Sequence, residues 1–205
     1  MRGGVPLRAF AHLTLSRSLW SLGQWSVVAL FVAACGGEGA STQGAADPTS
    51  ANAGGGNSSG RGASDFTTRD VDGKTVRLSD HLGKETILID FWATYCEPCR
   101  AEFPHLQKLY DAQKSKGFVV LAVSMDGPET IATVPQIAKS YDISFPVLLD
   151  EDSSIASMYN PKKSAPLSVL IDKSGKIVRV REGYNPGDEK LVEDDVVKLV
   201  SGQKL

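Results

Sequence analysis

Two cysteines separated by two residues, Cys96-Glu97-Pro98-Cys99, are the side chains of this 205-residue chain best spaced for chemistry. A dithiol at that spacing can close a disulfide across one helical turn, and a helix N-terminus lowers the pKa of the first thiol through its dipole and unpaired N–H groups. The spacing also suits half of a zinc site. Zinc takes about four ligands, and with the N-terminal segment that holds His12 and Cys35 set aside as a signal, the soft donors left besides the pair are His81 and His105, which have no paired spacing of their own. No metal is therefore expected. A purely structural disulfide across so small a loop would constrain the unfolded chain little.

The elements that must position the pair follow from the pattern of apolar residues. Residues 66–78 form two alternating runs around Asp72-Gly73, a hairpin signal. Residues 86–92 (Thr-Ile-Leu-Ile-Asp-Phe-Trp) are a nearly continuous apolar run, as a central strand buried on both faces should be. Cys96 follows it, where the strand gives way to a helix over 97–116 interrupted at Pro104. Next come a strand over 118–123, a helix near 129–141, a short strand over 145–149 and a weak helix near 153–159. Runs at 167–171 and 176–181 flank the turn Asp172-Lys-Ser-Gly175 and make an antiparallel hairpin. An amphipathic helix over about 188–200 ends the domain. This order predicts one α/β domain with a mixed central sheet flanked by helices, the first hairpin being an N-terminal extension. Cys96, at the corner, is expected to be exposed and to attack. Cys99, one turn inward, is expected to resolve the adduct after losing its proton in a poorly solvated place.

The rest of the chain divides by composition. Residues 1–34 read as an export signal, with Arg2, Arg8 and Arg17 ahead of the apolar run 25–34. Spanning a bilayer takes roughly 20 apolar residues, and extending this run back to Leu19 meets Ser21, Gly23, Gln24 and Ser26. An uncleaved membrane helix is the alternative, and both readings put the remainder outside the cytoplasm. Residues 35–64 are mostly Gly, Ala, Ser, Thr and Asn, too little apolar surface to order a core. They are expected to form a flexible tether with a reach of roughly 30 Å. Residues 65–205 form the domain and carry 18 basic against 22 acidic groups with no basic stripe, which excludes nucleic-acid binding.

The segment from Ile89 to Pro104, Ile-Asp-Phe-Trp-Ala-Thr-Tyr-Cys-Glu-Pro-Cys-Arg-Ala-Glu-Phe-Pro, resembles the active-site segment of thioredoxin-like proteins and more narrowly that of the TlpA/ResA family. In that branch Cys-x-Pro-Cys is followed by a basic, an acidic, an aromatic or apolar residue and proline, here Arg100, Glu102, Phe103 and Pro104. The resemblance extends from Phe66 to about Val200 and takes in Leu78-Ser79-Asp80 and Ala165-Pro166. It implies a thioredoxin fold, a thiol-disulfide oxidoreductase, and a cis Pro166 that faces the cysteines with Ala165. The backbone there would pair with an extended substrate. An ordinary proline opening a strand is the alternative. Val32-Ala33-Ala34-Cys35-Gly36 resembles the lipobox of bacterial lipoproteins. That implies cleavage, a lipid on Cys35, and anchoring at the extracytoplasmic face of a bacterial membrane, with Gly36 leaning toward the outer one.

Two carboxylates are candidates to take the Cys99 proton. Asp90, inside the apolar strand, matches the buried acid of thioredoxin, where the TlpA/ResA branch more often has asparagine. Glu102, three residues after Cys99 and on its helix face, matches the acid of that branch. Carrying both departs from either pattern. Burial should raise Asp90, and the lysine that often accompanies it in thioredoxin is replaced near Ala122 by an apolar residue. For Glu102 the alternative is a solvated surface charge. Trp92 and Tyr95, with Pro98, are candidates for a substrate-docking rim, and the two aromatics suit core packing equally. His105 reads as a surface or packing residue.

Glu97 should oppose the Cys96 thiolate, which predicts a reductant of protein disulfides. Its partners would be an oxidised protein client and a membrane thiol-disulfide electron donor, and it would act as a monomer with no cofactor beyond the Cys96–Cys99 disulfide. The resemblance implies as client an apocytochrome c haem site, a copper-site assembly protein or a more general oxidised protein. Two other classes compete. Peroxiredoxin-type peroxidases carry a Pro-x-x-x-Thr-x-x-Cys arrangement, whereas Ala93 stands three before Cys96. A copper-handling module needs a methionine or histidine directed at Cys96, and Met125 and Met158 have no such spacing.

Overall fold

The first turn of the domain is built by one side chain. Asp70 accepts hydrogen bonds at Oδ1 from the N–H groups of Asp72 (3.0 Å) and Lys74 (2.8 Å), and Gly73 takes the left-handed φ of +79° that the turn requires. This joins β1 (Thr67–Asp70) to β2 (Thr75–Arg77) as the predicted hairpin. In the computed structural model, which describes residues 60–205, the chain continues through β3 (Thr86–Trp92), α1 (Glu97–Gln113), β4 (Phe118–Ser124), α2 (Val134–Ser140), β5 (Val147–Leu149), α3 (Ser154–Tyr159), β6 (Leu167–Ile171), β7 (Ile177–Glu182) and α4 (Asp188–Val200). The signal segment 1–34, Cys35 and the tether up to residue 59 lie outside the described residues. No helix among the described residues is long and apolar enough to cross a membrane.

The strands form one mixed sheet in the order β2-β1-β5-β4-β3-β6-β7. β3, β4 and β5 are parallel, and β6, β7, β1 and β2 run antiparallel to their neighbours. All seven residues of β3 are buried, and so are all seven of β4. Alternation sends Leu88 and Trp92 to one side, with Cys99, Phe103 and Leu106 of α1 and Val192 and Val196 of α4. Ile87, Ile89 and Phe91 go to the other, with Phe66 and with Ile155 and Tyr159 of α3. This is the α/β domain with a mixed, helix-flanked sheet that the residue pattern predicts, in the thioredoxin-like form that the resemblance implies.

Several boundaries differ for identifiable reasons. α1 runs continuously through Pro104, where an interruption is expected. The proline sits on the exposed face, where water can bond the Arg100 carbonyl that loses its partner, so the usual cost of about 3 kcal/mol for an interior proline is tolerated without a break. The helix expected near 129–141 begins as a 3-10 turn, Ile131–Thr133, and becomes α-helical at Val134, with Pro135 in the first turn where no N–H is needed. β5 starts at Val147 because Pro146 has no N–H for the ladder, although Phe145 is still buried edge-on against Tyr110 at 5.9 Å. The last residues of the expected tether belong to the domain. Gly60 N donates to the Ile177 carbonyl (2.5 Å), Ile177 N to Arg61 (2.8 Å) and Ala63 N to Gly175 (2.8 Å).

α4 is fastened to the sheet by Asp195, which is buried and accepts from Arg179 Nε at 3.1 Å and from Arg181 Nη2. Both arginines lie on β7, so removing the carboxylate frees two cations at once. Asp195→Ala should lower stability by about 1–3 kcal/mol, seen as an earlier urea midpoint with an unchanged m value.

Candidate active site

Burial of β3 ends at Trp92 and Ala93, and the chain turns to present Cys96 as the N-cap of α1. Pro98 occupies the first helical turn, where its missing N–H costs nothing. The two sulfurs are joined as a disulfide with Cα atoms 5.4 Å apart, and the backbone N–H of Cys99 donates to Cys96 Sγ at 3.2 Å. Cys96 is buried with 7% of its surface left open, not exposed as expected, because it caps the helix against the core, and Cys99 has none open. An incoming nucleophile or substrate therefore reaches Cys96 first, and the helix start can stabilise a thiolate there. Cys99 is enclosed by the α1 side of the core.

Two buried carboxyls lie on the same side of the sheet as Cys99. Asp90 falls between Leu88 and Trp92 in the alternation of β3, so it faces the same side of the sheet as Cys99. It is fully buried, and neither oxygen has a hydrogen-bond partner. Its cross-strand neighbours are Ala122 on β4 and Ser168 on β6, so no cation opposes it from either strand. Burial alone pushes its pKa up to about 7. Glu102 is buried too, which sets aside its reading as a solvated charge. Burial first, then the charges of Asp90, Asp188 and Glu189, push it up to about 9. Asp90 thus raises Glu102, and the pair holds at least one proton at neutral pH. Glu102 also lines a groove of about 360 Å³ between α1 and α4, with His105 and Glu189, which gives the pair an outlet to solvent.

The rim around Cys96 is only partly the one expected. Tyr95 is 72% exposed, and Glu97, Pro98 and Ala165 are exposed beside it. Trp92 does not belong to the rim. It is wholly buried and packs edge-on against Phe103 at 4.8 Å, a contact worth about 0.5–1.5 kcal/mol beyond its area. A seventh strand residue on a strand covered on both faces has no route to the surface. The Ala165–Pro166 bond is cis. Leu167 pairs with Phe91, so Pro166 stands at the end of the sheet where β3 passes into the cysteine corner. The Pro166 carbonyl accepts from Gly183 N at 2.8 Å, whereas no backbone hydrogen bond among the described residues engages Ala165. His81 is held by Glu85 at 2.5 Å, and His105 lies beside Tyr184.

Sequence reasoning passed over a second polar cluster, formed by Thr94, Ser124 and Asp126, and the buried amide of Asn160. Asp126 accepts from Thr94 N (2.9 Å), Thr94 Oγ1 (2.5 Å) and Ser124 Oγ (2.8 Å). These partners are 32 and 2 residues away, and a lone Asp after a strand signals nothing of the kind. Thr94 carries the aliphatic hydroxyl nearest in sequence before Cys96, and it is committed to Asp126. The position three before Cys96 is Ala93, without a hydroxyl.

A dithiol at a strand-to-helix corner, a cis proline beside it and a protonatable buried acid on the second thiol's side of the sheet define a thioredoxin-fold thiol-disulfide oxidoreductase. Residues 59–180 match the AhpC/TSA family. The chain is 40% identical over 141 residues to thiol-disulfide oxidoreductase ResA of Bacillus subtilis, covering 69% of this chain and 75% of that one. It is 37% identical over 121 residues to ResA of Bacillus thuringiensis subsp. konkukian, covering 59% and 68%. A solved Chlorobium tepidum structure, provisionally described as thiol:disulfide interchange protein DsbE, superposes with a TM-score of 0.64 at 31% identity over 69% of this chain and 97% of that one. The chain belongs to the AhpC/TSA family and, within it, to the ResA-type thiol-disulfide oxidoreductases.

The acid pair makes a pH-dependent prediction. Asp90 titrates higher in the folded chain than its ordinary 3.8, so the fold is favoured when it is protonated. The penalty is absent below the ordinary value, grows as pH rises toward 7 and is complete above it. Asp90→Asn should raise stability by a few kcal/mol at pH 8 and much less at pH 4, measured by urea unfolding at both. In single turnovers of reduced protein with a chromogenic aromatic disulfide, it should leave release of the first thiol nearly unchanged. Release of the second, which reports attack by Cys99, should slow about 100-fold.

Proposed function

We propose that the protein is an extracytoplasmic reductant of protein disulfides, tethered to a bacterial membrane through a lipid on Cys35. The observation that carries the direction is the acid between the cysteines, Glu97, exposed at the first turn of α1. Stabilised thiolates make an oxidant. Negative charge beside these sulfurs disfavours their thiolates, which makes the dithiol a better electron donor.

In the forward step the Cys96 thiolate attacks one client sulfur, the client S–S bond breaks, and one client thiolate leaves. Cys99 passes its proton to the Asp90–Glu102 pair and attacks Cys96 Sγ. The second client thiolate departs, and the Cys96–Cys99 disulfide forms. Two electrons move from the dithiol to the client. A membrane thiol carrier would return them to the domain. The exposed Tyr95, Pro98 and Ala165 form the client face, where the unengaged backbone of Ala165 suits pairing with an extended chain. An apocytochrome c haem site or a copper-site assembly protein is the client class suggested by the resemblance in the active-site segment. The small residues before Cys35, with Gly36 after it, support the lipid tether.

Redox titration against glutathione or dithiothreitol tests the direction. The potential is expected near the thioredoxin value of about −270 mV, and a value near the about −120 mV of strong oxidants would sink the reductant assignment. Glu97→Lys should shift it upward by about 30 mV or more, equivalent to about 1.4 kcal/mol.

A further inference from the structure

Thr94, Ser124, Asp126 and Asn160 are buried polar residues with no part in attack or proton transfer as described above. What they hold is specific. Asp126 takes both the N–H and the hydroxyl of Thr94, two residues before Cys96, and is itself held by Ser124 Oγ at the end of β4. Met125, between them, donates its N–H to the Trp92 carbonyl at 2.8 Å. Arg100 adds a bond from Nη1 to the Thr94 carbonyl at 3.3 Å. The cysteine corner is thus pinned from beneath by three consecutive residues of one strand end.

The same strand end reaches the other half of the client face. Asn160 Nδ2 lies 3.4 Å from Met125 Sδ and donates to the Ser164 carbonyl at 2.7 Å. Asn160 Oδ1 accepts from Ser164 N at 2.9 Å. One amide side chain therefore closes the loop 160–164 as a paired strand would, immediately before Ala165. Ser164 Oγ is held in turn by Glu182 Oε1 at 2.5 Å. Burial pushes the Asp126 carboxyl up, but the bonds from Thr94, Thr130 and Ser124 outweigh it and hold the group below the ordinary carboxylate range. It is an ionised acceptor at neutral pH.

We propose that Asp126 and Asn160 are positioning residues that together set the gap between Cys96 Sγ and the client-pairing backbone at Ala165. Neither touches a client. Asp126 fixes the height of the cysteine corner over β4, and Asn160 fixes the loop before the cis proline against the same strand end. In-line attack on a disulfide needs the client sulfur placed on the Cys96 axis while its chain lies along Ala165. A misplacement of about 1 Å is enough to slow such a step by about 100-fold. The inference rests on exchange at Cys96 and on the client face proposed above.

The test compares oxidised insulin, an extended client, with a small aromatic disulfide that makes no backbone pairing. Asn160→Ala should raise KM for insulin about 10-fold with kcat within about twofold, a loss of binding that ground state and transition state share. Its loss with the small disulfide should be far smaller. Asp126→Ala should lower kcat with both substrates by about 10-fold or more, and Asp126→Asn, which keeps an acceptor for Thr94, should recover most of it. Thermal unfolding is followed for each variant, and Asn160→Ser replaces the alanine if that fails to fold. Equal losses on both substrates for the Asn160 variant, or an Asp126→Asn variant no better than alanine, would overturn the proposal. The unsubstituted chain run alongside reports separately on the oxidoreductase reading, since its own exchange rate does not depend on either positioning residue being correctly assigned.

Discussion

A strand apolar on both faces has to be covered on both, and β3 is buried from Thr86 to Trp92. That constraint organises the domain. α1 and α4 cover one face, while α3 and the chain around Phe66 cover the other. Parallel pairing with β4 requires a crossover, which α1 supplies, and the start of that crossover is where the cysteines sit. The reactive pair owes its place to the strand's need for cover, and its helical N-cap to the abrupt end of that strand. The same enclosure denies Asp90 both solvent and a partner, so its raised titration follows from the packing that stabilises the fold.

Much of this was legible in the residues because it is local. Continuous apolar runs marked β3 and β4, the Asp-Gly turn marked the first hairpin, and the limits of α4 agree with its amphipathic stretch. The order of cysteines in the helix separated the more exposed sulfur from the enclosed one. Features that depend on which face meets which neighbour were not legible. Trp92 could have stood on a rim or in the core, and only the register with β4 and β6 places it inside. Pro104 reads as a break until its exposed side of α1 is known. The tie between Thr94 and Asp126 spans 32 residues and has no periodic trace.

The acids of the site act against one another in a useful way. An exposed carboxylate would be a weak base, whereas burial raises Asp90 to about 7, where it is partly ionised and basic enough to take up a proton near neutral pH. Placed together, Asp90 and Glu102 keep a proton in the pair across neutral pH while the α1–α4 groove gives it somewhere to go. The acids at the start of α4, Asp188 and Glu189, join in raising Glu102, so a helix distant in sequence tunes a carboxyl of α1.

Residues 60–63 are bonded to the start of β7, at the Gly175–Ile177 end of the last hairpin. β6 runs from the cis proline to that turn, so the two lie at opposite poles of the sheet. Five-residue β6 and seven-residue β3 put roughly 15–20 Å between them along the strands. The disulfide therefore stands at the far end of the sheet from the place where residues 60–63 join it, with the length of β6 between the two.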